Sequence, residues 1–301
     1  MHERHEHDLG LAHDLKVLSR RRMFQLAGVA GASALVGACA GNSTNQSTTA
    51  TSTTTSAAIT TTVVDGASCA AAAPAETAGP YPGDGSNGPN VLIESGVVRD
   101  DIRASFGPYT GRAEGVPMSI ELSLKDLTKD CAVGTGMAVY VWHCDRDGNY
   151  SLYSKDAAEQ NYLRGVQVAD EQGRVFFTST FPACYDGRWP HIHFEVFDSL
   201  ESAVAGDNAR LTSQIALPDD TCKAVYAADK GYEKSVQNLS QVTLNSDNVF
   251  GDGWDAELAT VTGDPNTAIT VALTIGVADN SANTPPAGGP PNGGPPGPPP
   301  R

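Results

Sequence analysis

The stretch Tyr185-Asp186-Gly187-Arg188-Trp189-Pro190-His191-Ile192-His193-Phe194-Glu195-Val196-Phe197 decides how the chain is read. From Ile192 to Phe197 it is rich in Val, Ile and Phe and reads as a buried strand. In a strand, side chains two apart share a face, so His191 and His193 aim at one point while Ile192 and Phe194 pack on the other side. Ahead of the strand, Asp186-Gly187 is a turn signal that folds Tyr185 and Arg188 back over the face carrying the imidazoles. The His-x-His pair alone is ambiguous. Neutral imidazole is the commonest metal ligand among side chains and serves zinc or copper equally, yet two polar strand residues facing solvent give the same pattern.

The period-two pattern extends on both sides. Met118–Leu124 and Ala268–Ile275 alternate apolar and polar residues, and Met137–Trp142 and Val175–Ser179 read as buried strands. Asp147-Gly148 and Gln172-Gly173 are turn signals between them. The first lies between the strand ending at Trp142-His143-Cys144 and a tyrosine, Tyr150. One helical stretch is predicted over Asp219–Gln237, with Pro218 and Asp219 at its start. Many short strands separated by turns predict an all-β fold, an antiparallel β-sandwich with a short helical insertion. No internal repeat is present.

The flanks of the 301-residue chain have the composition of segments that build no core. Ser19-Arg20-Arg21-Arg22-Met23-Phe24-Gln25 has the pattern of a twin-arginine export motif, followed by an apolar run from Leu26 to Ala40. That run is shorter than the ~20 residues of a membrane-spanning helix, so residues 1–39 read as a signal peptide. Val36-Gly37-Ala38-Cys39 has the form of a lipobox, which makes Cys39 a candidate lipid anchor. Residues 40–73 are Ser, Thr, Ala and Asn with almost no large apolar side chain, a flexible tether. Residues 279–301 end in a Pro/Gly-rich tail expected to be extended and disordered. The expected domain is residues 74–278, exported to the cell envelope or beyond.

A formal net charge of -15 repels phosphate backbones and argues against nucleic acid as a partner. The six cysteines, Cys39, Cys69, Cys131, Cys144, Cys184 and Cys222, form no C-x-x-C pair. That disfavours a zinc knuckle or thioredoxin-type site and suits disulfides in an oxidising compartment. Cys144 and Cys184 each lie next to a candidate ligand region, so a disulfide holding one of those loops is attractive, although pairing cannot be read from sequence.

Several ordered blocks together resemble the intradiol ring-cleaving dioxygenases, the catechol and protocatechuate family. They are Glu76-Thr77-Ala78-Gly79-Pro80-Tyr81, Trp142-His143-Cys144-Asp145-Arg146-Asp147-Gly148-Asn149-Tyr150, Leu163-Arg164-Gly165-Val166-Gln167, the Tyr185…Arg188…His191-x-His193 block, and Thr212-Ser213-Gln214. The resemblance covers roughly Glu76 to Leu217. It implies that Tyr150, Tyr185, His191 and His193 hold one ferric ion, Fe(3+), with Arg188 beside the substrate ring and Gln214 near the same pocket. It further implies cleavage of a catechol-type aromatic diol by dioxygen to a muconate-type diacid, with Tyr185 the tyrosinate that yields to substrate. Phenolate oxygen is a hard anionic donor suited to a trivalent cation, and two tyrosinates with one hydroxide neutralise it.

Other readings stand beside these. Tyr153 and Tyr162 are rivals to Tyr150; Arg188 has Asp186 as a nearby partner; Gln214 is equally a structural strand residue. Trp142 and Trp189 suit a pocket wall, and His143 is expected to face away from the metal. The Tyr185–His191 loop is shorter than in the best-studied family members, which puts pocket width and substrate identity in doubt. Two other functional classes remain: a non-catalytic envelope β-sandwich module, and a zinc or copper enzyme using the His-x-His pair.

Overall fold

The computed structural model describes residues 69–206 and 209–283. The twin-arginine motif, the Cys39 lipobox, the linker up to residue 68 and the tail from residue 284 lie outside the described residues.

Among the described residues, nine strands form two sheets: β1 Pro117–Asp126, β2 Ala132–Val133, β3 Ala138–Trp142, β4 Arg164–Val168, β5 Arg174–Thr180, β6 His191–Phe197, β7 Leu211–Ala216, β8 Thr260–Asp264 and β9 Ala268–Val277. One sheet has the order β2-β1-β9-β8, with β5 also paired to β1; the other has the order β4-β3-β6-β7. Burial alternates along β1 as the sequence pattern requires, with Met118, Ile120, Leu122 and Leu124 all buried. These residues join Val139, Val141, Ile192, Phe194, Val196, Val175, Phe177, Val271 and Ile275 in one hydrophobic core.

The second sheet positions the site. Its register sets Trp142 opposite both Arg164 and His193, and His193 opposite Gln214, so these four side chains form one row across β4, β3, β6 and β7. Alternate residues of the same strands lie in the core, which leaves the row on the other face. That face is buried too, because loops and the segment from Cys69 onward cover it. Arg164 ties this covering down. Its guanidinium donates to the carbonyls of Tyr81, Pro82 and Ser151, to Ser151 Oγ and to the Tyr140 hydroxyl at 2.9, 2.7, 2.9, 3.0 and 3.1 Å.

Three expectations need correction or refinement. First, the sandwich is not wholly antiparallel: β1 and β9 run parallel from Met118↔Ile269 to Asp126↔Val277. Period-two alternation is the same for either direction, so the sequence carries no sign of this. Second, the helical stretch is broken into α2 Asp219–Ala228 and α3 Glu233–Leu239, and a further helix, α1 Leu200–Ala205, precedes β7. The break falls at Asp229, extended at φ -124°, whose carboxylate accepts the Gly231 amide and starts a separate turn. Third, Cys144 and Cys184 are free, buried thiols, as is Cys222; the disulfide joins Cys69 to Cys131. Cys144 Sγ instead donates to the Ala183 carbonyl and Cys184 Sγ to that of Arg188.

The domain also reaches past both expected edges. Cys69 is bridged to Cys131, the Ala73 amide donates to the Gly276 carbonyl, and Asn283 bonds Thr212 and Ala209. Among the described residues, no helix is long and apolar enough to cross a membrane.

Candidate metal centre

The site is built from three loops and one strand. β6 presents His191 and His193 side by side, with Nε2 atoms 3.1 Å apart. The turn before it has Gly187 at φ +77° with the Arg188 amide donating to the Tyr185 carbonyl, so a residue free of a Cβ occupies the left-handed position. That turn brings the Tyr185 hydroxyl 3.2 Å from His191 Nε2. The hairpin Asp145–Asn149, closed by Asp145 Oδ1 accepting the Asp147 and Asn149 amides, delivers Tyr150. Its hydroxyl lies 3.4 Å from His191 Nε2 and 3.5 Å from the Tyr185 hydroxyl. The rivals are engaged elsewhere: Tyr153 accepts the Gly83 amide and Tyr162 donates to Asp145.

His191 Nε2 thus faces His193 Nε2 and both phenol oxygens, and the phenols face each other, at 3.1–3.5 Å. A four-coordinate cation with ligands at ~2.0–2.1 Å separates its donors by about 3.3–3.4 Å, so these distances leave room for one ion among the four groups. His191 Nδ1 donates to the Trp189 carbonyl, which leaves the Nε2 lone pair for the cluster. His193 Nδ1 is buried with no hydrogen-bond partner among the described residues, and its ring lies flat against Trp142. Among the described residues no group of three or more His, Cys, Asp and Glu side chains is placed to hold a metal. The donors here are two imidazoles and two phenols, a set suited to a hard, highly charged cation.

Electrostatics agree with that fit. Burial, reinforced by the Arg188 guanidinium, holds His191 well below the usual imidazole range. Burial and His191 do the same to His193. Burial pushes the Tyr150 phenol well above its usual range and Tyr185 up to about 12. Without an ion the cluster is neutral: two phenols and two neutral imidazoles. A cation would meet ready nitrogen donors and displace the phenol protons.

Arg188 does not pair with Asp186. Its Nε donates to Asp247 Oδ2 at 2.9 Å and its Nη2 to Gln214 Oε1 at 2.7 Å, while Nη1 lies 3.5 Å from His191 Nε2. Gln214 in turn donates from Nε2 to the Thr77 carbonyl, so it links the arginine to the segment bordering the cluster. That segment passes close over the imidazoles: a Cβ on Gly79, at φ +69°, would lie 3.4 Å from His193 Cε1. The Tyr81 ring packs 5.0 Å from that of Tyr150. His143 is buried away from the cluster, hydrogen-bonded to Ser179 and the Cys144 carbonyl. Trp189 forms wall, its indole donating to the Leu217 carbonyl.

Sequence reasoning missed Asp247 and the clamp made by Arg164. Asp247 sits 59 positions from Arg188, in a polar stretch with no feature that singles it out. Arg164 lay in a recognised block, but a basic residue beginning a strand reads as surface unless its row of neighbours is known.

Comparison with known proteins agrees with this geometry at the level of fold. No protein-family model matches the chain. An intradiol ring-cleavage dioxygenase from Tetranychus urticae superposes with a TM-score of 0.52 at 23% identity, over 69% of this chain and 94% of that one. A second solved dioxygenase superposes at 0.54 with 22% identity, over 69% and 95%. A chlorocatechol 1,2-dioxygenase from Rhodococcus opacus is 42% identical over 52 residues, 17% of this chain. That match spans only a fifth of the curated relative, 20% of its length. The chain has the fold of the intradiol ring-cleavage dioxygenases.

Proposed function

We propose that the protein is a ferric-iron enzyme that opens a catechol-type aromatic diol between its two hydroxylated carbons, using dioxygen, to give a muconate-type diacid. The observation that carries the reading is the meeting of Tyr150, Tyr185, His191 and His193 at 3.1–3.5 Å. The fold it shares with intradiol dioxygenases supports it.

In this reading the four side chains hold Fe(III). When bound, the ion supplies Lewis acidity and an electron acceptor that makes a coordinated diol reactive towards dioxygen. The other roles belong to the chain. Tyr150 is fully enclosed, whereas Tyr185 is half-buried at the rim, so Tyr185 is the phenol an incoming diol reaches. Burial makes the free Tyr185 phenolate a strong base, able to take a diol proton at its Oη. Arg188 Nη1, pointing into the cluster, offers a positive hydrogen-bond donor to charge that builds on the ring, and Gln214 keeps the guanidinium in place. Trp142 and the Gly79–Tyr81 segment exclude water from the imidazoles.

We further propose that the protein works outside the cytoplasm. The twin-arginine pattern at residues 19–25 and the Cys69–Cys131 bridge support this, with Cys39 as the candidate lipid anchor.

The testing experiment is oxygen uptake by iron-loaded, full-length protein across a panel of catechols and hydroxyquinols, with product analysis. Uptake of dioxygen with a ring-opened diacid bearing both oxygen atoms is the expected outcome. No uptake with any diol, or activity that follows zinc or copper, ends the proposal.

A further inference from the structure

The arginine beside the cluster is held by a carboxylate that lies outside every block of the sequence resemblance. Asp247 is completely buried at its side chain, while the Arg188 side chain is 14% exposed. All the acceptor capacity of Asp247 is committed. Oδ2 accepts Arg188 Nε at 2.9 Å and the Trp189 amide at 2.7 Å. Oδ1 accepts the Val249 amide at 2.8 Å and the Phe250 amide at 3.2 Å. The backbone around it is equally fixed, because a capping box on Thr243 and Ser246 precedes it and the Asp247 amide donates to the Thr243 carbonyl.

These bonds distribute the guanidinium's donors in a definite way. Nε is taken by Asp247 on one side and Nη2 by Gln214 on another, at 2.9 and 2.7 Å. Nη1, 3.5 Å from His191 Nε2, is the arm left for the cluster. A guanidinium is a rigid planar fork, so fixing two of its three nitrogens fixes the direction of the third. The same carboxylate oxygen holds the Trp189 amide, and the Trp189 carbonyl accepts His191 Nδ1. One buried aspartate therefore sets the reach of Arg188 and also touches the backbone just before His191, whose own place on the strand is fixed by its pairing with Ala216.

We propose that Asp247 is a positioning residue for the ring-opening reaction, acting through Arg188: it aims Nη1 at the reacting ring. The proposal rests on the function proposed above. It requires that the direction of the guanidinium, and not its charge alone, matters. A buried charge pair also resists separation, since removing one partner leaves the other uncompensated.

The test uses iron-loaded full-length protein. Asp247→Asn puts an amide N–H against Arg188 Nε while its oxygen still accepts the Val249 and Phe250 amides. It should lower kcat about 100-fold, the loss expected when a reacting group is misplaced by about 1 Å, with KM changed less than about threefold. Iron content and the visible absorption should stay as in the wild type. In an Arg188→Ala background the same change should cost less than about threefold further, because the residue it serves is gone. Arg188→Lys, which keeps the charge and loses the fork, should fall about as far as Arg188→Ala. Near-wild-type kcat in Asp247→Asn, equal losses in both backgrounds, or turnover restored by Arg188→Lys would each overturn the proposal.

A crystal structure of Asp247→Asn gives a readout independent of turnover. Nη1 should move by about 1 Å or more while Tyr150, Tyr185 and the imidazoles stay in place. An unmoved guanidinium overturns the proposal whatever the kinetics. If Asp247→Asn does not fold, Asp247→Glu, which keeps the charge but displaces the carboxylate, takes its place, with the same loss expected in the wild-type background and the same near-absence of further loss in Arg188→Ala; equal losses in both backgrounds would overturn the proposal. Should the wild type turn over no diol, the parent reading fails, and the crystal structure still decides whether Asp247 aims Arg188.

Discussion

The imidazole of His193 lies flat on the indole of Trp142, with centroids 5.0 Å apart and planes 4° from parallel. The two residues are direct cross-strand partners on β6 and β3, so the sheet register itself creates the stack. His193 Nδ1 has no hydrogen-bond partner among the described residues, which leaves the stack and the Gly79 segment to orient the ring. Trp142→Leu should therefore loosen His193 and weaken iron binding by about tenfold, as loss of an orienting neighbour does at other metal sites. Chelator competition measures this; unchanged affinity would show that the stack is packing alone.

The neutral cluster dictates how iron enters. At pH 7 both phenols keep their protons, since burial raises Tyr150 and Tyr185 far above that pH. Both imidazoles are already deprotonated. Loading with ferric iron should release about two protons per ion, and apparent affinity should rise about 100-fold per pH unit below the phenol range. Proton release measured by pH-stat titration checks it. Release of none would mean that the phenols do not ligate.

Arg164 holds the covering segment with no carboxylate partner among the described residues. It donates five hydrogen bonds to Tyr81, Pro82, Tyr140 and Ser151, and it is 1% exposed. Arg164→Met strands those acceptors and should cost about 3 kcal/mol or more in urea unfolding. A loss under about 0.5 kcal/mol, the range of ordinary surface substitutions, would contradict the clamp.

The disulfide fastens the start of the domain. Cys69 and Cys131 are 62 positions apart, and a cross-link of that span restricts the unfolded chain by about 4 kcal/mol. Cys131→Ser should lower stability by an amount of this order, and reductant should lower the wild type alike. Equal stability of the oxidised and reduced protein would argue against the bridge.

Two buried carboxyls give a pH signature. Burial, with Asp252 and Asp247 nearby and Arg188 opposing, pushes Glu76 up to about 7. Burial and Glu76 push Glu257 up to about 8; Ser213 Oγ donates to its Oε1 at 3.4 Å. In the folded state both keep protons that the unfolded chain releases near 4.5. Their contribution is therefore complete below that pH and is lost as pH rises through 7 to 8. Unfolding free energy should fall over this window, and Glu257→Gln should flatten the fall. A variant slope equal to that of the wild type would show that Glu257 does not titrate there.

How much was legible follows from which signals are local. The strands β1, β3, β5, β6 and β9 were readable because each alternates or runs apolar over several residues. β4 and β7 were not, since Arg164-Gly165 and Thr212-Ser213-Gln214 look like loop until cross-strand partners bury them. That His191 and His193 share one face was readable from the pleat alone, whereas what that face meets was not. Tyr150 and Tyr185 were named through the family resemblance, because no local pattern says that two phenols 35 positions apart converge. Asp247 and the Cys69–Cys131 pairing are contacts between distant segments, which only the folded chain brings together.

The central claim is that two phenols and two imidazoles share one ferric ion, and colour tests it most directly. Full-length protein loaded with iron should bind one ion per chain and show a visible tyrosinate-to-iron absorption band that shifts on addition of catechol. Tyr150→Phe and His191→Ala should weaken or abolish that band. A colourless protein holding zinc or copper instead, or a band undiminished in both variants, would contradict the account.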